Sequence, residues 1–122
     1  MKTSQRKTGD LGEELTCQYL IRKGYRIIER NYLMKYGEID IIAKKDKEIV
    51  FIEVKTSKKG SLIAPEENMT WRKIGKFHRI VELYRSSYME EQQKWRMDAI
   101  FVLLDPYGND NEITHLENIN IQ

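Results

Sequence analysis

Cysteine, histidine and long apolar runs are what this sequence has least of, and each shortage removes a class of protein. Cys17 is the only cysteine, so neither an internal disulfide nor a thiolate zinc cluster can form, and a reducing compartment is expected. His78 and His115, the only two histidines, lie far apart in the chain, which argues against a histidine-rich metal site. No apolar run approaches the ~20 residues needed to span a membrane. The polar stretch Met1 to Asp10 lacks a signal-peptide core. These absences give the expectation of a soluble, cytoplasmic protein with no membrane partner. Internal repeats and low-complexity segments are absent as well, and no recognition helix for the major groove is evident.

What is present suffices for one modest core. With 122 residues, 40% of them apolar, the chain is expected to form a single two-layered domain over residues 10–122, preceded by a flexible arm over residues 1–9. Leu11, Leu15 and Tyr19 recur at helical spacing and Gly24 ends the run, so a first helix is expected from Asp10 to Lys23, with Asp10 as a cap and Gly12 interrupting its start. Tyr25–Leu33, Glu38–Ala43 and Glu48–Thr56 read as strands, and Gly60–Ala64 as a loop. Pro65, Glu66 and Glu67 suit a helical turn, and Thr70 suits a second cap. Beyond it Ile74, Phe77, Val81, Tyr84 and Tyr88 mark a long amphipathic helix. Arg96–Leu104 is a further strand, ended by the turn signal DPYGNDNE, and a short strand near Ile113–Leu116 closes the set. The order α-β-β-β-α-β-β predicts an α/β fold with a mixed sheet flanked by helices.

The formal net charge of +2 conceals strong segregation. Residues 1–35 carry a net +4, 36–54 a net −2, 55–85 a net +5 and 86–122 a net −5. A basic surface beside a carboxylate cluster suits a polyanion held near a cation, although ordinary solubility would also use these charges.

The acidic segment contains the sharpest anomaly, the stretch YGEIDIIAKKDKEIVFIEVKTS from Tyr36 to Ser57. Alternation places Ile49, Phe51, Glu53 and Lys55 on one strand face, and Glu38, Asp40 and Ile42 together on the strand before it. If Asp46 and Lys47 form a two-residue turn, cross-strand partners sum to 93 and Asp40 falls opposite Glu53, with β-carbons about 5 Å apart. Opposed like charges destabilise a sheet unless a cation lies between them. Two carboxylates at that separation suit a hard divalent ion such as Mg²⁺, and Lys55 would stand beside it. The plainer account pairs Lys55 with Glu53 or Glu38 on a solvated face. Glu13 shares a helical stripe with Cys17 and Leu20, which makes it either a third site carboxylate or one more polar residue of a mostly apolar helix.

GDLGEELTCQYLIRKGYRIIERNY, the hairpin, TWRKIGKFHRIVELY and WRMDAIFV together resemble the UPF0102 (YraN-like) family, related to archaeal Holliday-junction resolvases in the PD-(D/E)xK nuclease superfamily. The resemblance spans most of the chain, and the paired GEIDII and FIEVKT segments carry most of its specificity. It implies a restriction-endonuclease-like fold and a single nuclease-like domain over residues 10–122. Asp40 and Glu53 would then hold Mg²⁺ or Mn²⁺, Glu13 would be the helix carboxylate, and Lys55 the catalytic lysine. The implied activity is divalent-metal-dependent DNA endonuclease chemistry on phosphodiesters, with branched or junction DNA as partner and a homodimer as the usual assembly. Three positions depart from the family pattern: Thr16 for a small alanine, Ser57 for an arginine after VKT, and Met97 for the aromatic residue of RFD.

Lys58 and Lys59, and Arg72, Lys73, Lys76 and Arg79 at the start of the long helix, are candidate contacts to backbone phosphates, with helix solubilisation as the alternative. Arg96 and Asp98 read as a supporting ion pair. Tyr25, Tyr32 and Cys17 read as packing residues. Two other functions fit the same residues: a structured-DNA binding module with little or no cleavage, and a non-enzymatic interaction protein.

Overall fold

A computed structural model describes residues 3–61 and 69–119. In chain order it contains α1 (Ser4–Arg22), β1 (Arg26–Met34), β2 (Gly37–Lys45), β3 (Glu48–Lys58), α2 (Trp71–Tyr88), β4 (Lys94–Leu104) and β5 (Glu112–Leu116). This is the expected order. The helical turn expected at Pro65–Glu67 lies outside the described residues, as does most of the Gly60–Ala64 loop. Among the described residues no helix is long and apolar enough to cross a membrane.

The five strands form one sheet in sequence order, with β3 and β4 parallel and the other neighbours antiparallel. A parallel pair needs a crossover, and α2 supplies it. Val50, Ile52 and Val54 pack with Cys17 and Leu20 of α1, whereas Phe51 packs with Phe77, Ile80 and Val81 of α2. Successive residues of β3 thus serve opposite cores, and the two helices cover opposite faces of the sheet. The hairpin strands are apolar on both sides because both sides are buried.

Helix α1 begins earlier than Asp10. Thr3 is its cap, its hydroxyl accepting the Arg6 N–H at 3.1 Å, so the segment expected as an arm is helical from Ser4. The apolar stripe that marked the helix starts only at Leu11, and periodicity could not register the polar turns before it. Nor does Gly12 interrupt the helix. A Cβ at Gly12 would overlap the side chain of Thr56 on β3, so the missing side chain is what lets α1 lie close to the sheet one residue before Glu13. Gly12→Ala would gain about 1 kcal/mol of helix propensity. The overlap includes Thr56 Cβ, which cannot swing aside, and overpacking costs about 1–3 kcal/mol. We expect a net loss of up to about 2 kcal/mol in urea unfolding; a midpoint above that of the parent would contradict this packing account.

Helix α2 starts as expected, Thr70 Oγ1 accepting the Lys73 N–H at 3.2 Å. Its apolar stripe buries Phe77, Ile80 and Val81. The β2–β3 turn also holds: Lys45 pairs with Glu48 across Asp46 and Lys47, and Asp46 adopts a φ of 54°. Every residue pair recorded in that ladder, from Lys45 with Glu48 to Ile41 with Ile52, sums to 93.

Candidate active site

The hairpin changes character one residue before Ile41. Ile41 lies in the core under α1, yet Ile39, two residues away, lies in the core under α2. Regular alternation would put both on one face. The strand turns over at Asp40, and on the facing strand Asn31 sits at a φ of 51°, a left-handed conformation that asparagine tolerates better than most residues. The expected common face of Glu38, Asp40 and Ile42 therefore breaks at Asp40. A run of pure alternation could not reveal this, because the irregularity is set by the backbone of the neighbouring strand.

At the break the β2–β3 ladder stops, since its last recorded pair is Ile41 with Ile52. Asp40 Oδ2 instead accepts the backbone N–H of Val54 at 2.8 Å. A side chain takes the place of a strand partner, and the two strands separate around a carboxylate. Glu13 from α1, Glu38 and Asp40 present ligand atoms that all lie within 4.8 Å of one another. Glu53 faces α2, where its Oε1 is 3.1 Å from Lys55 Nζ. A small hollow of about 240 Å³ opens there, lined by Gly37, Glu38, Glu53, Lys55, Lys73, Lys76, Phe77 and Ile80. Glu38 belongs to both groups and links the carboxylate triad to the hollow.

Burial makes these acids reluctant to ionise. Asp40 is pushed up to about 8, first by desolvation and then by the charge of Glu53, against the pull of the Val54 N–H. Glu53 is raised by burial, with Lys55 opposing. Glu13 is also raised, by burial and by Glu38, while a hydrogen bond from Asn31 works the other way. Glu13 Oε1 is buried and has no hydrogen-bond partner. Packed, partly desolvated carboxylates with an orphaned oxygen are the donor set a hard divalent cation takes. The residues fit such an ion.

Of the expected site residues, Glu13, Asp40, Glu53 and Lys55 all come to this region. Glu38 was missed as a site residue, although its place two residues before Asp40 was the available signal. Among the expected phosphate contacts, Lys73 and Lys76 line the hollow and Arg79 lies farther along α2. Arg72 is exposed in the first turn of α2. Lys58 opens on a different depression, shared with Lys7 and the β4–β5 turn, and Lys59 Nζ is bound to Asp110 at 3.0 Å.

A second group, Asp98, His115 and Glu117, also has the composition of a cation site. Its atoms are already engaged. Arg96 Nε donates to Asp98 at 3.0 Å, and its other nitrogens reach Glu48, Glu117 and the Tyr25 hydroxyl. His115 Nε2 is 2.7 Å from Asp98, and its Nδ1 is 2.9 Å from the Tyr19 hydroxyl. Burial alone would raise Asp98, but the hydrogen bonds from His115, Arg96 and the Asn118 amide outweigh it and hold the carboxyl low. Arg96 already pairs with both carboxylates of this cluster and offsets part of their charge. The expected Arg96–Asp98 pair is present as the centre of a larger network. Cys17 and Tyr25 are buried, and Tyr32 packs edge-on against Tyr84, so all three are packing residues.

A family model described as "Uncharacterised protein family UPF0102" matches residues 12–102. The chain belongs to the UPF0102 family. It is 40% identical to a UPF0102 protein of Syntrophomonas wolfei over 113 residues, covering 93% of this chain and 96% of the relative. It is 38% identical to UPF0102 protein TTE1452 of Caldanaerobacter subterraneus over 119 residues, covering 98% and 93% of the two chains. Among solved structures, the chain is similar to a repair endonuclease from Pyrococcus abyssi at 17% identity and a TM-score of 0.44, covering 87% of this chain and 39% of that one. That superposition is too loose to bear on mechanism. Two departures from the UPF0102 pattern have visible accommodations. Thr16 is buried with its hydroxyl donating to the Gly12 carbonyl at 2.7 Å, and Met97 is fully enclosed in the core beneath α2. Ser57 is partly buried on β3.

Proposed function

We propose that this chain is a divalent-metal-dependent endonuclease that hydrolyses phosphodiester bonds in DNA, with branched or junction DNA as the favoured substrate. The observation that carries the reading is the meeting of Glu13, Glu38 and Asp40 at the point where the β2–β3 ladder opens, with Glu53 and Lys55 on the adjoining turn of strand. Glu13, Asp40 and Glu53 would hold Mg²⁺ or Mn²⁺, with Glu38 as a further oxygen donor. Such an ion supplies Lewis-acid stabilisation of the phosphate and a more acidic water.

The chain's own groups do the rest. Asp40 keeps its place through the Val54 N–H, so its free oxygen is aimed by the sheet and not by a flexible stem. Lys55, tethered to Glu53, offers an ammonium to orient a water or to meet charge developing on the phosphate. Lys73 and Lys76 bring positive charge to the hollow's other wall, where a phosphate backbone would lie. None of these groups reads base edges, so preference for shape over sequence follows.

The test is incubation of the purified protein with labelled Holliday junction, flap, single-stranded and linear duplex DNA in Mg²⁺, Mn²⁺ or EDTA, beside Glu53→Ala. Products are expected in Mn²⁺ or Mg²⁺, none in EDTA, and a loss of at least about 100-fold in a folded Glu53→Ala protein. A protein that binds these DNAs and cleaves none in any metal would be a binding module, and the nuclease reading would be wrong.

A further inference from the structure

The carboxylate hollow does not end at Ile80. Lys76 and Ile80 also line a second, larger hollow of about 820 Å³, which continues along α2 past Arg79 and Leu83 to Tyr36 in the β1–β2 turn. Ligand pockets of roughly 300–1,000 Å³ accept molecules of drug or nucleotide size, so this space far exceeds the needs of an ion or a lone phosphate. Its wall is apolar, formed by Ile80, Leu83 and Tyr36, and Tyr36 is 65% exposed. Lys76 carries positive charge where this space meets the carboxylate hollow, and Arg79 adds a second cation farther along. The one carboxylate in the lining, Glu82, is held by Arg85 and lies 3.7 Å from His78. Lys35 Nζ sits 5.3 Å from the centre of the Tyr36 ring, on the turn that carries it.

An exposed aromatic ring, an aliphatic floor and cations at the junction with a phosphate-handling site form the combination that binds a strand with unstacked bases: a base lies on the ring while its flanking phosphates meet the cations. Duplex DNA keeps its bases stacked and paired, and could not place one on Tyr36 without paying for its extrusion. Building on the nuclease reading above, we propose that the Tyr36–Ile80–Leu83 hollow is a subsite for an unpaired nucleobase next to the scissile phosphate. The substrate class is then DNA with unpaired nucleotides at or beside the cut: single strands, flaps and the open centres of junctions. Gly37 lies against Ile80, the residue that both hollows share with Lys76. A Cβ there would overlap Ile80 Cδ1, so any side chain would press on the residue shared by both cavities.

Fluorescence anisotropy in EDTA, where no cleavage occurs, tests this with two labelled oligonucleotides of equal length and charge. One is a thymidine 20-mer, and the other is a 20-mer of abasic tetrahydrofuran units. The parent protein is expected to bind the thymidine strand about tenfold more tightly than the abasic one, by base–aromatic stacking. Tyr36→Ala, and separately the uncharged Leu83→Ala, should reduce thymidine-strand affinity to the abasic level and leave abasic binding unchanged. Arg79→Gln should weaken both equally. Equal affinity for the two strands, or a Tyr36→Ala effect that is the same on both, overturns the base subsite while leaving the nuclease reading to its cleavage assay. No binding to either strand, together with no cleavage, overturns both. A dimer in sedimentation that Leu83→Glu dissolves, with base-independent binding, would assign the hollow to a second copy of the chain and overturn the subsite.

Discussion

Lys55→Ala is expected to slow metal-dependent cleavage by about 10²–10³-fold while the protein still folds and still binds the metal. The separation follows from what Lys55 touches. Its ammonium is 3.1 Å from Glu53 and its side chain lines the open hollow, so its removal widens that hollow and leaves no closed void in the core. It donates no oxygen to a cation, and losing one positive charge beside several carboxylates favours a divalent ion if it changes binding at all. What the variant lacks is a donor aimed at the phosphate, which is needed in the transition state and not for loading. Single-turnover rates at saturating Mn²⁺ measure the first part, and the rise in melting temperature on adding Mn²⁺ measures the second. Lys55→Arg should recover only part of the rate, because a planar guanidinium keeps the charge without the compact ammonium. Parental rates in Lys55→Ala would remove the lysine from the mechanism. A lost metal response would instead make it a structural partner of Glu53.

The second large effect is on stability. Asp40, Glu53 and Glu13 are all raised by burial, so the folded chain keeps protons that the unfolded chain has released. Their contribution is full below the ordinary carboxyl range near 4 and is lost as pH climbs toward the value of about 8 at Asp40. Each unit is worth about 1.4 kcal/mol, and because Asp40 and Glu53 share the burden we expect a decline on the order of 3 kcal/mol between pH 5 and pH 8 without metal. Mg²⁺ or Mn²⁺ should reverse it at pH 8 and do little at pH 5, where protons occupy the ligands. Asp40→Asn keeps an oxygen to accept the Val54 N–H but removes the charge. It should flatten the decline, make the metal-free protein more stable than the parent at pH 8, and abolish most protection by metal. Urea unfolding at both pH values with and without metal measures all three. A metal-free parent that gains stability toward pH 8 would show that these acids are solvated and charged, contrary to their packing.

Much of this architecture was legible in the chain because it rests on periodicity and turn chemistry. Alternation in Glu48–Thr56 gave β3, the three- and four-residue steps from Ile74 to Tyr88 gave α2, and Asp46–Lys47 set a register that the ladder follows. Two features were not legible, the first for want of a pattern and the second because it depends on what lies across space. The turns of α1 before Asp10 are polar and stand on a threonine cap, with no stripe to announce them. The break at Asp40 depends on Asn31 in β1 and on Val54 in β3, and no pattern within β2 encodes it. Glu38 was read only as an ion-pair partner for Lys55, whereas the fold brings it beside Glu13 and Asp40. The UPF0102 resemblance supplied the roles of Glu13 and Lys55, which spacing alone left divided between chemistry and ordinary ion pairing.

The acids of the candidate site all come from residues 13 to 53, whereas the cations of its far wall, and the floor of the Tyr36 hollow, come from α2. That division has an evolutionary consequence. Asp40 is flanked by Ile39 and Ile41, both fully buried in different cores, so drift around it is punished by loss of folding before activity is even at issue. Arg72, Lys76 and Arg79 are exposed on the helix surface and can be exchanged without disturbing the sheet. Under the nuclease reading proposed above, the nucleic acid gripped can be changed by rewriting one helix face, while the acidic hairpin stays tied to folding.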